Sequence, residues 1–133
     1  MRYYAQEKFA VLPKAILFDL DNTLYSYQPA HNKASQSVEK KVTANYMISR
    51  DDFLKAYGEA RQRIKTQLGH TASSHSRLLY YQRTLEILGL STQLLRALDL
   101  EQTYWRSFLL EAKLFEDVLE TFNEIRLHGI PLI

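Results

Sequence analysis

Cysteine is absent from the 133 residues, which excludes disulfides and thiolate metal sites. Glycine occurs four times and proline three times, and the chain holds no internal repeat and no low-complexity stretch. No window approaches the roughly 18 consecutive apolar residues that a membrane span requires. The opening MRYYAQEKFAVLP has no apolar segment followed by a small-residue cleavage site. These absences lead us to expect a cytoplasmic protein with no membrane partner. Charge of one sign is also lacking: 17 Lys and Arg against 15 Asp and Glu leave +2, too mild for a nucleic-acid partner.

What is present is the balance of a folded protein, with 46% apolar and 24% charged residues. The length suits one domain with a real core, or one unit carrying an insertion. The charge is unevenly spread. Between Phe53 and Leu85 stand Lys55, Glu59, Arg61, Arg63, Lys65, Arg77 and Arg83, with His70 and His75. This basic stretch is read in two ways, as a solvated helical face or as a place for an anionic ligand.

Residues 14–20, KAILFDL, predict a strand entered through Pro13. Ile16, Phe18 and Leu20 would point one way and Ala15 and Leu17 the other, and a strand apolar on both faces belongs inside a parallel sheet. From about Asn32 to Leu110 the periodicity is helical. Ala34, Val38, Val42 and Tyr46 mark one helix, and Phe53, Tyr57, Ala60, Ile64 and Leu68 a second, opened by Ser49 and Asp52 at N-cap spacing and stopped by Gly69. A third is expected from about Ser74, with Leu78, Tyr81, Leu85 and Leu88 inward, ending at Gly89. A fourth begins after Ser91 and turns Leu94, Leu98, Trp105 and Leu109 inward. A fifth, from about Glu116 to His128, carries Val118, Phe122 and Ile125 on one face and leads through Gly129 to an apolar IPLI, read as a second buried strand from about 130. With the four-helix block lifted out, the remainder is one βαβ unit with parallel strands.

Asp19 and Asp21 fall at the carboxyl end of the first run, the edge where open α/β sheets bind ligands. Two carboxylates there can divide the work of phosphoryl transfer, one attacking phosphorus and the other handling the proton. Carboxylates facing a phosphate dianion need a divalent cation between them, and Mg²⁺ suits oxygen donors. The segment also opens like a calcium loop, but Leu24 stands where that loop needs glycine and Ala30 where it needs glutamate. A plainer alternative is that Asp21, Asn22 and Thr23 only cap a turn.

The stretch ILFDLDNTLY resembles the first motif of the haloacid dehalogenase-like (HAD) hydrolases, an apolar strand followed by Asp-x-Asp-x-Thr. The resemblance implies a Rossmann-like parallel sheet with an inserted α-helical cap. It implies an incomplete α/β core over 1–30 and 111–133, and a cap over 31–110. It further implies that Asp19 is the nucleophile and a Mg²⁺ ligand. Asp21 would be the general acid and base, reaching the metal through its backbone carbonyl, with Asn22 and Thr23 orienting the loop and substrate. The expected activity is Mg²⁺-dependent hydrolysis of a small phosphomonoester through an aspartyl phosphate, with DNTLY and the cap length similar to members acting on nucleotides or flavin mononucleotide.

In that family a Ser or Thr after the second strand, a later Lys and an acidic pair complete the site, and none of these falls within the 133 residues. The chain therefore reads as the N-terminal portion of a longer hydrolase, weakly active or inactive alone and prone to self-association through its incomplete sheet. His75, Arg77, Tyr80, Tyr81 and Arg83 are candidate substrate contacts in the cap, while Tyr104 and Trp105 read as packing. Two rival readings are a non-catalytic helical binding module with a vestigial motif and a dehalogenase. The second aspartate, needless for dehalogenation, favours phosphate over the latter.

Overall fold

The computed structural model describes residues 11–90 and 94–133. What was expected of the first ten residues and of the helix start just after Ser91 therefore falls outside the described residues. Among the described residues there are five α-helices, α1 (Tyr27–Tyr46), α2 (Arg50–Leu68), α3 (Arg77–Ile87), α4 (Leu94–Glu111) and α5 (Val118–Leu127), with a 3-10 turn (Ala72–His75) after α2. No helix among the described residues is long and apolar enough to cross a membrane. The chain divides into two compact units, one drawn from Met1–Tyr27 with Ala112–Ile133, the other from Gln28–Glu111.

The described residues of the second unit form helices and the short connections between them. α1 buries Ala30, Ala34, Val38 and Val42, one residue every turn, so small and β-branched side chains form a narrow seam. α2 buries Phe53, Ala56, Ala60 and Ile64. The Ser49 hydroxyl accepts the Asp52 amide at 3.1 Å, and Asp51 and Asp52 add negative charge to the first turn, where the helix dipole favours it. At the other end Gly69 turns to φ +56°, a conformation that costs glycine little, and its amide closes on the Lys65 carbonyl.

α3 begins three residues later than its periodicity predicts. Ser74 is buried in the 3-10 turn, where its carbonyl accepts the Tyr80 hydroxyl, and Ser76 takes over as cap by accepting the Leu79 amide. α3 packs against both α2 and α4. Tyr57 from α2 meets the rings of Tyr80 and Tyr81, so these two tyrosines are core residues. α1 is tied to α4 by Lys41 with Asp99 and Thr103, and to α2 by Glu39 with Arg50.

The buried face of α4 is not the expected one. Leu94, Leu98, Trp105 and Leu109 lie outward, and Ala97, Leu100, Tyr104 and Phe108 are inside. The helix is apolar on two sides, so hydrophobicity alone does not choose between them. The choice goes to the side whose tyrosine finds polar partners, because the Tyr104 hydroxyl meets His31 and Arg77.

In the other unit the two expected strands are corrected to a single parallel bridge between Ile16 and Leu132. The Ile16 amide donates to Pro131 O, Ile133 N to Ile16 O, and Phe18 N to Ile133 O, all at 2.9–3.0 Å. This is the slanted pattern of a parallel ladder, but the paired stretch is too short to make a strand. Phe18 meets the Phe122 ring of α5 edge-on at 5.1 Å, so one face is covered, while Leu17 remains 73% exposed. The two-sided burial implied by the apolar run is therefore not realised among the described residues.

Candidate active site after the first apolar run

Asp19 follows directly on the paired residues Ile16 and Phe18, so its backbone starts from a fixed point. The chain then abandons extension. The amides of Thr23 and Leu24 both return to the Leu20 carbonyl, at 3.2 and 2.9 Å, and the Asn22 amide bonds the Tyr25 carbonyl at 2.9 Å. Asn22 occupies φ +61°, a left-handed conformation that asparagine tolerates better than most residues. Its side-chain oxygen accepts the amide of Tyr27, the first residue of α1. Asn22 thus makes the turn and also holds the helix start.

Two anchors fix the loop from the far side. Leu24 is buried, and its carbonyl accepts the Phe115 amide at 2.9 Å; Tyr25 forms an antiparallel bridge with Leu114. Sequence reasoning assigned no role to Leu114 and Phe115, whose only signal is a short apolar pair ahead of Glu116.

The turn changes which side chains meet. Extension would have set Asp19, Asp21 and Thr23 in a row. Instead the Thr23 hydroxyl folds back and donates to Asp19 Oδ2 at 2.9 Å, while the Tyr25 hydroxyl donates to Asp21 Oδ1. Each carboxylate receives one hydroxyl, and both remain exposed. Tyr25 has its phenol pushed up to about 12, first by the hydrogen bond to Asp21, then by burial and by the negative charges nearby, Asp19 included. The loop is an electronegative spot.

Among the described residues no group of three or more His, Asp or Glu side chains gathers as a metal cluster. The donor set that is present, two carboxylates and backbone carbonyls on one short loop, is nevertheless the hard oxygen chemistry that Mg²⁺ takes, since that ion keeps waters and phosphate oxygens alongside one or two carboxylates. Asp19 and the Asp21 carbonyl would fill part of such a shell.

The candidate substrate contacts of the helical unit do not form one group. Tyr80 and Tyr81 are in the core, and burial pushes the Tyr81 phenol up. Arg83 pairs with Glu86, His75 is exposed on the 3-10 turn, and Arg77 lies over the Tyr104 ring at 4.2 Å and the Trp105 ring at 4.9 Å. Elsewhere in the basic stretch, Arg63 pairs with Glu59.

The family model for haloacid dehalogenase-like hydrolases matches residues 13–133, which takes in the aspartate loop and both units. The chain belongs to the haloacid dehalogenase-like hydrolases. A curated relative of this haloacid dehalogenase-like chain is the ribulose-1,5-bisphosphate 5-phosphatase of Halopiger xanaduensis, 36% identical over 119 residues. The alignment covers 89% of this chain and 50% of the relative, so the chain spans about half the length of the curated relative it matches. No solved structure matches this member of the haloacid dehalogenase-like hydrolases.

Proposed function

We propose that this chain supplies the nucleophile and the general acid of a Mg²⁺-dependent phosphatase acting on a small phosphomonoester. The observation that carries the reading is the Asp19 and Asp21 pair on one braced loop after a parallel-paired segment, each carboxylate oriented by its own hydroxyl donor. Thr23 occupies Oδ2 of Asp19 and so leaves Oδ1 to attack phosphorus. As the Asp19 oxygen bonds to phosphorus, the bond to the ester oxygen breaks, and the proton on Asp21 passes to that oxygen to release an alcohol. Asp21, now a carboxylate, takes a proton from water. The resulting hydroxide displaces Asp19 from phosphorus, yielding inorganic phosphate and the free carboxylate. A bound Mg²⁺ supplies charge neutralisation between the carboxylates and the phosphate dianion.

The helical unit Gln28–Glu111 is read as the cap that selects substrate. The relative is named for a sugar bisphosphate, which makes phosphorylated sugars the first class to test, ahead of nucleotides and flavin mononucleotide. The test is a Mg²⁺-dependent phosphate-release screen on the complete gene product. Asp19→Asn is expected to lower kcat by at least about 10³-fold, because the covalent route is lost while the remaining positioning groups are kept. Turnover that survives this substitution or is indifferent to chelation of Mg²⁺ would sink the proposal.

A further inference from the structure

The geometry points to Tyr25 as a positioning residue that fixes the carboxyl group of Asp21, so that its proton is carried on Oδ2 and presented to the leaving oxygen. This role rests on the phosphatase reading above. A carboxyl group has two oxygens and a rotatable stem, and a general acid is useful only when the oxygen bearing the proton faces the group that departs. The Tyr25 hydroxyl donates to Oδ1, and of two carboxyl oxygens the one already accepting a donated hydrogen is the less favourable to protonate. The acid proton is thereby directed to Oδ2.

The tyrosine is itself held rigidly. Its carbonyl accepts the Asn22 amide at 2.9 Å, its backbone bridges Leu114, and the next anchor is the Phe115 amide on Leu24 O. A phenol reaching back four residues is thus braced by the same turn that carries Asp21, and by a segment nearly ninety positions further along the chain. Thr23 serves Asp19 in this loop, which leaves Tyr25 as the donor described on Asp21.

In the step concerned, the Asp19 carboxylate attacks phosphorus, the phosphorus to ester-oxygen bond breaks, and the Oδ2 proton of Asp21 moves to the ester oxygen. The products are the alcohol, aspartyl phosphate at Asp19 and the Asp21 carboxylate, which still accepts from Tyr25 at Oδ1. Protonation matters only when the leaving oxygen is basic. An alkyl or sugar phosphate needs the proton, whereas 2,4-dinitrophenyl phosphate departs as a stable anion without it.

The experiment measures kcat/KM of the complete gene product with Mg²⁺ on both esters, for the unmodified protein, Tyr25→Phe, Asp21→Asn and the double variant. Tyr25→Phe keeps the ring and removes only the hydroxyl. It is expected to lower kcat/KM for the sugar phosphate about tenfold, a fraction of the 10²–10⁴ that a general acid contributes, and to change the dinitrophenyl ester less than about twofold. Asp21→Asn should show the same selectivity with a larger loss. In the double variant the loss should equal that of Asp21→Asn alone, since a missing acid cannot be misplaced. Equal losses on both esters, or losses that multiply in the double variant, overturn the positioning role and leave the phosphatase reading intact. If the unmodified protein turns over neither ester, or does so regardless of Asp19→Asn, both fall together.

Discussion

Tyr104 shows how a single buried hydroxyl gathers polar neighbours. Arg77 Nη2 donates to its oxygen at 2.9 Å, and arginine has no accepting nitrogen to offer in return. His31 Nδ1 lies 2.7 Å from the same oxygen, so the imidazole and the guanidinium meet at one phenol. Burial holds the His31 pKa below its ordinary 6.5, and the charges of Arg77 and Arg61 push the same way. The unfolded chain therefore binds this proton at a pH where the folded chain still refuses it. The stabilising preference for neutral His31 is fully present above pH 6.5 and is lost as pH falls below that value towards the lowered folded pKa. Urea midpoints measured from pH 7.5 down to 5 should fall for the unmodified protein, and fall less for His31→Gln. Identical slopes would show that another group governs this range. At this scale the sequence was partly legible. Two aspartates ending an apolar run stand out because such a run has no other use for charge. Tyr25 does not stand out, since its hydroxyl reaches Asp21 only after Asn22 has turned left-handed, and no period of strand or helix foretells that meeting.

Helix ends were more legible than helix faces. Ser49 followed by Asp52 is a local signal, decided by atoms within one turn, and the structure holds both halves of it: the Asp52 amide donates to the Ser49 hydroxyl, which itself donates to the Asp52 carboxylate at 2.6 Å. Ser49→Ala should remove both and cost about 1 kcal/mol of stability, measured as a lower urea midpoint at unchanged slope. A loss below about 0.3 kcal/mol would mean that Asp51 and Asp52 satisfy the first turn by themselves. The face of α4 could not be read in the same way. Leu94, Leu98 and Leu109 make one apolar stripe and Ala97, Leu100 and Phe108 another, and which of them is buried depends on partners far away in sequence. His31 lies 73 positions from Tyr104, and Arg77 lies 27. The inward stripe is the one whose polar atom those partners satisfy, and periodicity carries no information about either.

Across the whole molecule, the pairing of residues 14–20 with the final apolar segment was readable as parallel, because a helix lies between them and the crossover dictates direction. Its extent was not readable. A strand apolar on both faces states what it needs on each side, and α5 covers only one face of it here. The two units differ accordingly in how much they bury. The helical unit holds Val38, Val42, Leu85, Leu100 and Tyr104 at full burial, whereas the described part of the other unit buries Leu24, Val118 and Ile130. Since burial of apolar area is the main term resisting local opening, the units should open at different free energies. Amides in the middle of α2, α3 and α4 should exchange with deuterium at least about tenfold more slowly than those of α5, corresponding to about 1.4 kcal/mol or more in opening free energy. Hydrogen exchange read by mass spectrometry on peptides from 53–64, 80–87 and 97–108 against 118–127 would measure this. Uniform protection across all four would mean that the chain opens as one cooperative body and that the smaller core is stabilised as strongly as the larger.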